Sequence, residues 1–455
     1  MMPVVALLER WRASGREVAV VGLGKSGVAA TLLLRDHGVP TYASDSGTGS
    51  VFDQWGEMLG KAGATVHLGG HDLERIARAV AAVVAPGVPP DAAPLVAARS
   101  AGLPIHAEVD IGFLALPQAC CIGITGTNGK TTTTSLIAHV LVAGGLRAET
   151  AGNIGRPLCD VARSDSPPDW LALELSSFQL HDTPNLRPAI GVLTNLAPNH
   201  LDRYHSLEEY YGDKALLFRN ADADSITVSN GDDPAVQAMV RPVPGRHLRF
   251  SLAGLADGWL DRESGRLMLG GRPLLSRSEL PLLGDHNVAN GLTAALAADA
   301  AGCALDAIAA GLRSFKAIPH RVEPVREVDG VLWINDSKST NITSTEVAVA
   351  ALDRPFVLLL GGRHKGEPYT RLAEPLRDRC RAVVAYGEAG PLVIQDLGKS
   401  LRVVPAGSFD EVLATARGLA RPGDAVLLSP ACSSYDMFKN YEERGSRFRE
   451  AVEAF

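Results

Sequence analysis

Residues 121–134, CIGITGTNGKTTTT, join a short apolar stretch to a glycine-rich turn and a run of threonines. The apolar residues at 121–125 predict a buried strand, and Thr131–Ala143 predicts a helix. A glycine-rich loop between a strand and a helix presents backbone N–H groups to phosphate oxygens, and the N-terminus of the helix favours the same negative charge. The stretch therefore predicts an α/β domain that binds a nucleotide.

This loop has the G-K-T core of a phosphate-binding loop (P-loop) without its full spacing, because Ile124 stands where the strict pattern has Gly. Lys130 is expected to neutralise the β- and γ-phosphates of ATP, and the Thr131 hydroxyl to hold Mg²⁺. The alternative is a glycine-rich turn with a surface lysine, which explains the threonine run less well, although Thr also caps helices. Residues expected to bind ATP here are Gly126, Thr127, Asn128, Gly129, Lys130, Thr131 and Thr132.

Strands alternate with helices along the whole chain, which predicts mainly parallel sheets with flanking helices. Alternating apolar residues at 259–275 predict a β-ribbon within this pattern. Apolar strands are predicted at 18–22, 40–45, 65–68 and 82–85, at 121–125, 171–175, 190–194 and 226–228, and at 331–334, 356–360, 382–386 and 425–428. We therefore expect three α/β domains: a Rossmann-like domain at 1–108, a central P-loop ATPase domain at 109–318, and a Rossmann-like domain at 319–455.

Composition excludes several classes of protein. The net charge of -7 argues against a general nucleic-acid binder, which would carry a basic excess. The six cysteines contain no C-x-x-C pair and are too sparse for a disulfide scaffold, so a reducing cytoplasm without a zinc site is expected. No apolar run reaches the ~18 residues that suggest a membrane span, so no membrane insertion is expected.

A second glycine-rich turn, Gly22–Gly27, matches G-x-G-x-x-G directly after the first predicted strand. Asp45 ends the next strand, where a ribose-binding acid is expected in a dinucleotide site. Taken alone, the pattern fits either an NAD-type site or a tight structural turn, and it does not identify the nucleotide.

Eight stretches, including the phosphate loop and lying in the second and third predicted domains, resemble the Mur ligase family and, within it, the glutamate-adding ligases. They are GITGTNGKTTTT (123–134), AGNIG (151–155), ELSSFQL (174–180), TNLAPNHLDRY (194–204), GDHNVANGLTAA (284–295), PHRVE (319–323), WINDSKSTN (333–341) and LLSPACSSYDMFKNYEERG (427–445).

The resemblance implies a bacterial, cytoplasmic enzyme of peptidoglycan synthesis. It would add D-glutamate to UDP-N-acetylmuramoyl-L-alanine through an acyl phosphate, with release of ADP and phosphate, and a monomer is expected. The first glycine loop would then bind the UDP group rather than NAD. Gly47 departs from the family pattern, which has a basic residue there. The implied substrate-binding residues are Gly24, Lys25, Ser26, Asp45, Ser46, Gly87, Asn153, Ser176 and His200.

The remaining site residues are also implied by the resemblance. Lys130, His200, Lys214 and Arg321 would be catalytic, and two Mg²⁺ ions would be held by Thr131, Glu174, His200 and a carbamylated Lys214. Asn287, Asn290, Arg321 and Asp336 would complete the ATP site. Arg321, at the junction of the second and third domains, would reach the γ-phosphate when the domains close. The glutamate-binding residues would be Lys338, Thr340, Lys365, Ser434 and Tyr441.

Three other functions remain open at this point. A sibling ligase would add another amino acid or L-glutamate, and the motifs do not determine the stereochemistry of the glutamate. An NAD-dependent oxidoreductase would leave the loop at 126–131 unexplained. A nucleotide-sensing protein without catalysis fits poorly with Lys130, Glu174, His200 and Lys214 together. Cys432 is not expected to be a nucleophile, because no Cys–His string accompanies it.

Overall fold

The computed structural model describes residues 5–198 and 204–455, in which the chain forms three β-sheets of five, nine and six strands. The chain divides into two compact units. The first comprises the chain up to Glu279 together with Ala289–Arg313, and the second comprises Leu280–Val288 and Ser314–Phe455. The predicted fold class, three α/β domains built on mainly parallel sheets, is confirmed. The domain boundaries at residues 108 and 318 stay predictions.

The first sheet has the strand order β3-β2-β1-β4-β5, and all of its pairs are parallel. Val18 and Val20 pack into one hydrophobic cluster while Ala19 and Val21 pack into another, so apolar side chains cover both faces. The elements are α1 (Val5–Ser14), β1 (Val18–Val21), α2 (Lys25–Asp36), β2 (Thr41–Asp45), α3 (Ser50–Lys61), β3 (Thr65–Leu68), α4 (Leu73–Ala77), β4 (Ala81–Val84), α5 (Ala93–Ser100) and β5 (Ile105–Ala107).

The second sheet has the order β14-β13-β12-β11-β10-β9-β6-β8-β7. The elements are α6 (Glu108–Leu114), β6 (Cys120–Thr125), α7 (Lys130–Ala143), β7 (Ala148–Gly152), α8 (Leu158–Ala162), β8 (Trp170–Glu174), α9 (Ser177–His181), β9 (Ile190–Leu193), α10 (Leu207–Ala215), β10 (Ile226–Asn230), α11 (Pro234–Val240), β11 (Arg246–Ser251), β12 (Gly258–Asp261), β13 (Arg266–Leu269), β14 (Arg272–Ser276), α12 (Asp285–Ala300) and α13 (Leu305–Ser314). The pairs from β7 to β12 are parallel, whereas β12, β13 and β14 pair antiparallel. The predicted β-ribbon is therefore confirmed, and it extends one edge of this sheet.

The third sheet has the order β15-β16-β20-β17-β18-β19. The elements are β15 (Glu323–Val328), β16 (Val331–Asn335), α14 (Ile342–Ala350), β17 (Phe356–Gly361), α15 (Ala373–Leu376), β18 (Cys380–Tyr386), α16 (Gly390–Leu397), β19 (Val403–Pro405), α17 (Phe409–Leu419), β20 (Ala425–Leu428) and α18 (Tyr441–Glu453). Leu358 and Leu360 pack on one face, and Val357 and Leu359 on the other.

One strand of the third sheet differs from the predicted parallel pattern. β15 was not predicted, and it pairs antiparallel with β16 through a tight hairpin. The turn residues Asp329 and Gly330 both have positive φ, as the Asp-Gly hairpin turn requires. The Asp-Gly pair directly before the predicted strand at 331–334 was the available signal for this hairpin.

None of the helices in the described part of the chain has the length and apolar composition to cross a membrane. All six cysteines are free thiols.

Candidate active site

The phosphate loop connects β6 to α7, as the sequence predicts. Gly126 has φ 144°, and Gly129 caps the helix with φ 79°, a conformation that glycine adopts without strain. The N-terminal N–H groups of α7 therefore point toward the loop, where phosphate oxygens are expected. The Nζ of Lys130 donates to the carbonyl oxygens of Gly126 and Thr127, both at 2.9 Å, so the lysine lies along the loop.

Residues that follow the neighbouring strand β9 fix the shape of this loop. Thr127 Oγ1 donates to Ala197 O at 3.0 Å, and Thr194 Oγ1 donates to Asn128 O at 2.8 Å. The side chain of Asn195 accepts from Asn128 N at 2.9 Å. The loop is therefore held by side chains from a second strand end and is preorganised for its ligand.

Lys214 contacts the same loop from α10. Its side chain is 1% exposed, and its Nζ donates to Gly126 O at 2.9 Å and lies 4.5 Å from the centre of the Tyr210 ring. Burial, and then the charge of Lys130, lowers the pKa of Lys214 to about 6. The residue pattern by itself would place this lysine on a helix surface, and that interpretation is wrong because the tertiary fold buries it against Gly126.

Glu174 ends β8, the strand beside β6, and is 3% exposed. Its Oε1 accepts a hydrogen bond from Asn153 Nδ2 at 3.0 Å, while its Oε2 is buried without a partner among the described residues. A buried carboxylate oxygen without a donor is costly unless a ligand compensates it. Hard oxygen donors of this kind suit Mg²⁺, so Glu174 fits a metal-binding role.

The rest of the predicted metal site is described only in part. Thr131 lies half-buried in the first turn of α7. His200 lies outside the described residues. The described residues contain no cluster of three or more His, Cys, Asp or Glu that could hold a metal ion by themselves. Mg²⁺ is commonly bound by one or two carboxylates together with substrate phosphates and water, which fits the donors present here.

The residues predicted for the rest of the ATP site occupy both compact units. Asn290 lies against the phosphate loop, where its Oδ1 accepts from Thr133 Oγ1 at 3.0 Å. Asn287 precedes it on α12 and donates to Leu283 O at 2.8 Å. Asp336 follows β16, and burial raises its pKa to about 6 although it accepts from Ser429 Oγ at 2.8 Å. Arg321 lies in the second unit with Asp336.

Six of the predicted UDP-binding residues line one cavity of about 450 Å³ at the carboxyl ends of β1, β2 and β4. The Asp45 carboxylate accepts from Leu23 N at 2.5 Å and from Gly47 N at 2.6 Å, which fixes its orientation. The six residues are Gly24, Lys25, Ser26, Asp45, Ser46 and Gly87. Asn153 and Ser176 lie instead at the ends of β7 and β8, and Ser176 caps α9 through a hydrogen bond with Gln179 N.

The structure adds one residue inside this cavity and one contact beside it. His71 lines it and makes a 2.9 Å hydrogen bond with Ser44 Oγ. The G-G-H-D stretch after β3 was the available signal for His71. A side chain at Gly47 would collide with the ring of Phe52, so this chain fills with an aromatic ring the space beside a position where the family pattern has a basic residue.

The predicted glutamate-binding residues follow β16, β17 and β20, which are neighbours in the third sheet. Lys338 Nζ donates to the Tyr441 hydroxyl at 2.7 Å and lies 4.1 Å from the centre of that ring. Lys365 Nζ donates to Thr340 Oγ1 at 3.2 Å. Ser434 is 2% exposed. Two lysines and several hydroxyls at one sheet edge suit a dicarboxylic ligand.

Arg444 is fully buried and was not assigned a role from the sequence. Its Nε donates to Ser337 Oγ at 2.9 Å, and its Nη2 donates to the carbonyls of Ser337 at 2.8 Å and Cys432 at 3.2 Å. It therefore ties the loop after β16 to the loop after β20. Burial raises the pKa of the Cys432 thiol to about 11, which agrees with the expectation that Cys432 is not a nucleophile.

A phosphate loop, a buried lysine and a buried carboxylate, carried by a chain of three α/β sheets, fit the class of multidomain proteins that bind nucleotide phosphates. Models of known protein families match most of the chain. The Mur ligase MurD-like N-terminal domain matches residues 16–107, the Mur ligase middle domain 124–298, and the Mur ligase glutamate ligase domain 320–432. The chain belongs to the Mur ligase family, so its nucleotide is ATP.

Similar curated proteins cover nearly the whole chain. A UDP-N-acetylmuramoylalanine–D-glutamate ligase of Acidobacterium capsulatum is 38% identical over 444 residues, with 96% of each chain covered. One from Myxococcus xanthus is 39% identical over 452 residues, with 97% of this chain and 99% of the relative covered.

Solved structures agree on the fold. The UDP-N-acetylmuramate-alanine ligase of Thermotoga maritima superposes with a TM-score of 0.61 at 17% identity, covering 96% of this chain and 99% of its own. MurF of Acinetobacter baumannii gives 0.60 at 15% identity, covering 95% and 93%. At these identities the similarity shows the fold alone.

Proposed function

We propose that this protein catalyses the ATP-dependent addition of D-glutamate to UDP-N-acetylmuramoyl-L-alanine in peptidoglycan synthesis. The observation that carries the proposal is the pair of lysines, Lys338 and Lys365, held by hydroxyl groups at one edge of the third sheet. A dicarboxylic amino acid needs cations and hydroxyl donors of this kind. The names of the relatives over nearly the full chain support the same substrates.

The reaction proceeds in two steps. A carboxylate oxygen of the alanyl group attacks the γ-phosphorus of ATP, and ADP leaves. The amine of D-glutamate then attacks the acyl carbon, and phosphate leaves as the amide forms. Lys130 and the loop N–H groups hold the phosphates, and Arg321 completes the charge neutralisation that phosphoryl transfer requires. Lys338, Thr340, Lys365, Ser434 and Tyr441 hold the incoming glutamate.

Two Mg²⁺ ions are expected, one held by Glu174 and Thr131 and a second by His200 and a carbamylated Lys214. Bound Mg²⁺ neutralises charge on the transferring phosphoryl group. Glu174 contributes the buried Oε2, and Asn153 keeps its carboxylate oriented through the other oxygen. The residues that bind the UDP group are those of the cavity around Asp45.

Lys214 is proposed to carry a carbamate. A neutral amine adds CO₂ and loses a proton, and the buried setting of Lys214 beside Lys130 favours the neutral amine. With ¹³C-bicarbonate, the wild type should give a carbamate NMR signal that Lys214→Met lacks. The variant should release phosphate about 100-fold more slowly, the scale of losing one preorganised group. The exposed control Lys399→Met should keep both the signal and the rate, and a wild type without the signal would refute the modification.

The proposed substrates support a location in the bacterial cytoplasm, and we propose a monomer without nucleic-acid partners. The boundaries between the three domains are proposed to lie at residues 108 and 318 of the chain. Light scattering that shows a stable dimer at assay concentration would contradict the monomer.

The direct test measures phosphate release from ATP and Mg²⁺ with UDP-N-acetylmuramoyl-L-alanine and D-glutamate, L-glutamate or no amino acid. Release only with D-glutamate, together with the amide product, is the expected result. Release only with L-glutamate would keep the mechanism and overturn the specificity. If no phosphate is released under any of the three conditions, the substrate assignment is wrong.

A further inference from the structure

His320 and Val322 have backbone conformations that side chains rarely adopt, with φ of 65° and 42°. A β-branched residue such as Val at positive φ is strained, and strain of this kind persists only where surrounding contacts enforce it. Arg321, proposed to bind the γ-phosphate, stands between them. The backbone on both sides of Arg321 is therefore fixed in an unusual conformation.

Two elements of the same unit, the end of β16 and helix α18, contact the ring of His320. Asn335 Nδ2 lies 3.0 Å from His320 Nδ1 and also donates to Gly445 O at 3.1 Å. The amide orientation follows from Asn335 Oδ1, which accepts from Ser337 N at 3.2 Å. His320 Nδ1 is therefore an acceptor, which places the ring proton on Nε2. Gly445 of α18 lies against the ring, and a Cβ there would collide with Nδ1.

The backbone around His320 contacts residues of two binding functions. His320 N donates to Glu323 Oε2 at 2.9 Å. His320 O accepts from Lys338 N at 3.1 Å, on the glutamate side. Val322 N donates to Asp336 Oδ1 at 3.1 Å, on the nucleotide side.

The ring of His320 also contacts the glutamate side directly. It lies edge-on to Tyr441 at 6.1 Å, and Tyr441 accepts the hydrogen bond from Lys338 Nζ. The strained tripeptide at 320–322 is thus hydrogen-bonded both to a residue proposed to bind glutamate and to a residue proposed to bind ATP.

We propose that His320 is a positioning residue of the ligase reaction. Its ring, held between Asn335 and Gly445, keeps the backbone at 320–322 in its strained conformation. This backbone in turn fixes the positions of Arg321, Lys338 and Asp336 relative to one another, so that ATP and glutamate are bound in the correct geometry. The inference rests on the proposed function and adds to it the residue that fixes the relative positions of these three side chains.

Gly445→Ala tests the idea without removing the imidazole. The new methyl group pushes the ring of His320 away, while alanine favours the α18 helix more than glycine does. We expect kcat to fall about 10- to 100-fold, since small misplacements of reacting groups cost rate on this scale. KM for D-glutamate should rise, because Lys338 and Tyr441 move with the ring. KM for the UDP substrate should stay unchanged, because its cavity lies in the other unit.

Gly418→Ala is the matched control, because Gly418 lies in a helix of the same unit and no atom lies within 4 Å of a Cβ placed there. It should behave as the wild type. His320→Gly removes the ring and permits positive φ, so it separates the ring contacts from backbone strain. We expect it to lose activity as Gly445→Ala does, with both variants folded by circular dichroism.

Nitrogen-15 NMR of the histidine side chains gives a readout that does not depend on turnover. The wild-type His320 should show the neutral tautomer protonated at Nε2, and Gly445→Ala should lose this signature. Wild-type kcat and KM in either Gly445→Ala or His320→Gly would overturn the proposal, as would an unchanged tautomer signal in Gly445→Ala. A wild type that does not use D-glutamate would instead overturn the proposed function.

Discussion

At the scale of the residue, Asp45 shows how a binding carboxylate is prepared before its ligand arrives. Backbone N–H groups of Leu23 and Gly47 each donate to one of its oxygens. Both N–H groups belong to glycine-rich turns, which let the backbone approach the carboxylate closely. The remaining acceptor capacity of Asp45 is therefore directed into the cavity that it lines.

Asp45→Ala should weaken binding of the UDP substrate by about 10- to 100-fold, the range expected for losing a hydrogen bond to a charged group. The loss also leaves two backbone donors without their acceptor. KM for ATP should not change, because the phosphate loop belongs to another sheet. Calorimetry with UDP-N-acetylmuramoyl-L-alanine measures the effect. Asp91→Ala, at an exposed position near the same sheet, is the control, and equal affinities for both variants would contradict the assignment.

At the scale of the element, α6 begins with a buried carboxylic acid. Glu108 is 1% exposed, its Oε1 accepts from Cys159 N at 2.7 Å, and its Oε2 has no partner in the described chain. Burial raises the pKa of Glu108 from 4.5 to about 7. The folded protein therefore binds a proton there between about pH 4.5 and 7 that the unfolded chain releases, so stability falls as the pH rises through this window.

Glu108→Gln should remove this pH dependence. The free energy of unfolding of the variant minus that of the wild type should increase on the order of 3 kcal/mol from pH 5 to pH 8, because the wild type loses the stability linked to the pKa shift of Glu108. Urea unfolding at the two pH values measures it. Glu57→Gln, at an exposed pair with Lys61 on α3, should leave the pH profile nearly as it is. A parallel pH profile for Glu108→Gln and the wild type would show that Glu108 is already ionised when folded.

At the scale of the whole molecule, the residues proposed to bind ATP are divided between the two compact units. The phosphate loop and Asn290 belong to the first unit, and Asn287, Arg321 and Asp336 belong to the second. Enzymes with this division commonly assemble their site by closure around the ligands. Ligand binding is then expected to change the overall dimensions of the protein.

Small-angle scattering should show a smaller radius of gyration when a non-hydrolysable ATP analogue and UDP-N-acetylmuramoyl-L-alanine are added together. Lys130→Ala should not respond, because it loses the charge that holds the phosphates. Identical wild-type curves with and without the ligands would contradict closure and leave Arg321 without its proposed route to the γ-phosphate.

Much of the fold follows from local pattern. The strands β3 and β20 have the predicted bounds, and the ends of β1, β2, β4 and β6 differ from the predictions by one residue. Helix α2 begins at Lys25, directly after Gly24 of the glycine turn. Antiparallel β15 was missed, since its half-exposed residues carry a weak apolar signal.

The sequence by itself determined the alternation of strands and helices, the phosphate loop and the glycine turn at 22–27, because these depend on residues close together in the chain. Only the tertiary structure decided which side chains of the site are buried and which residues they contact. Lys214 meets Gly126 across 88 positions of sequence, and Asn335 meets Gly445 across 110. Burial and the strained backbone at His320 arise from such long-range contacts, which local periodicity does not encode.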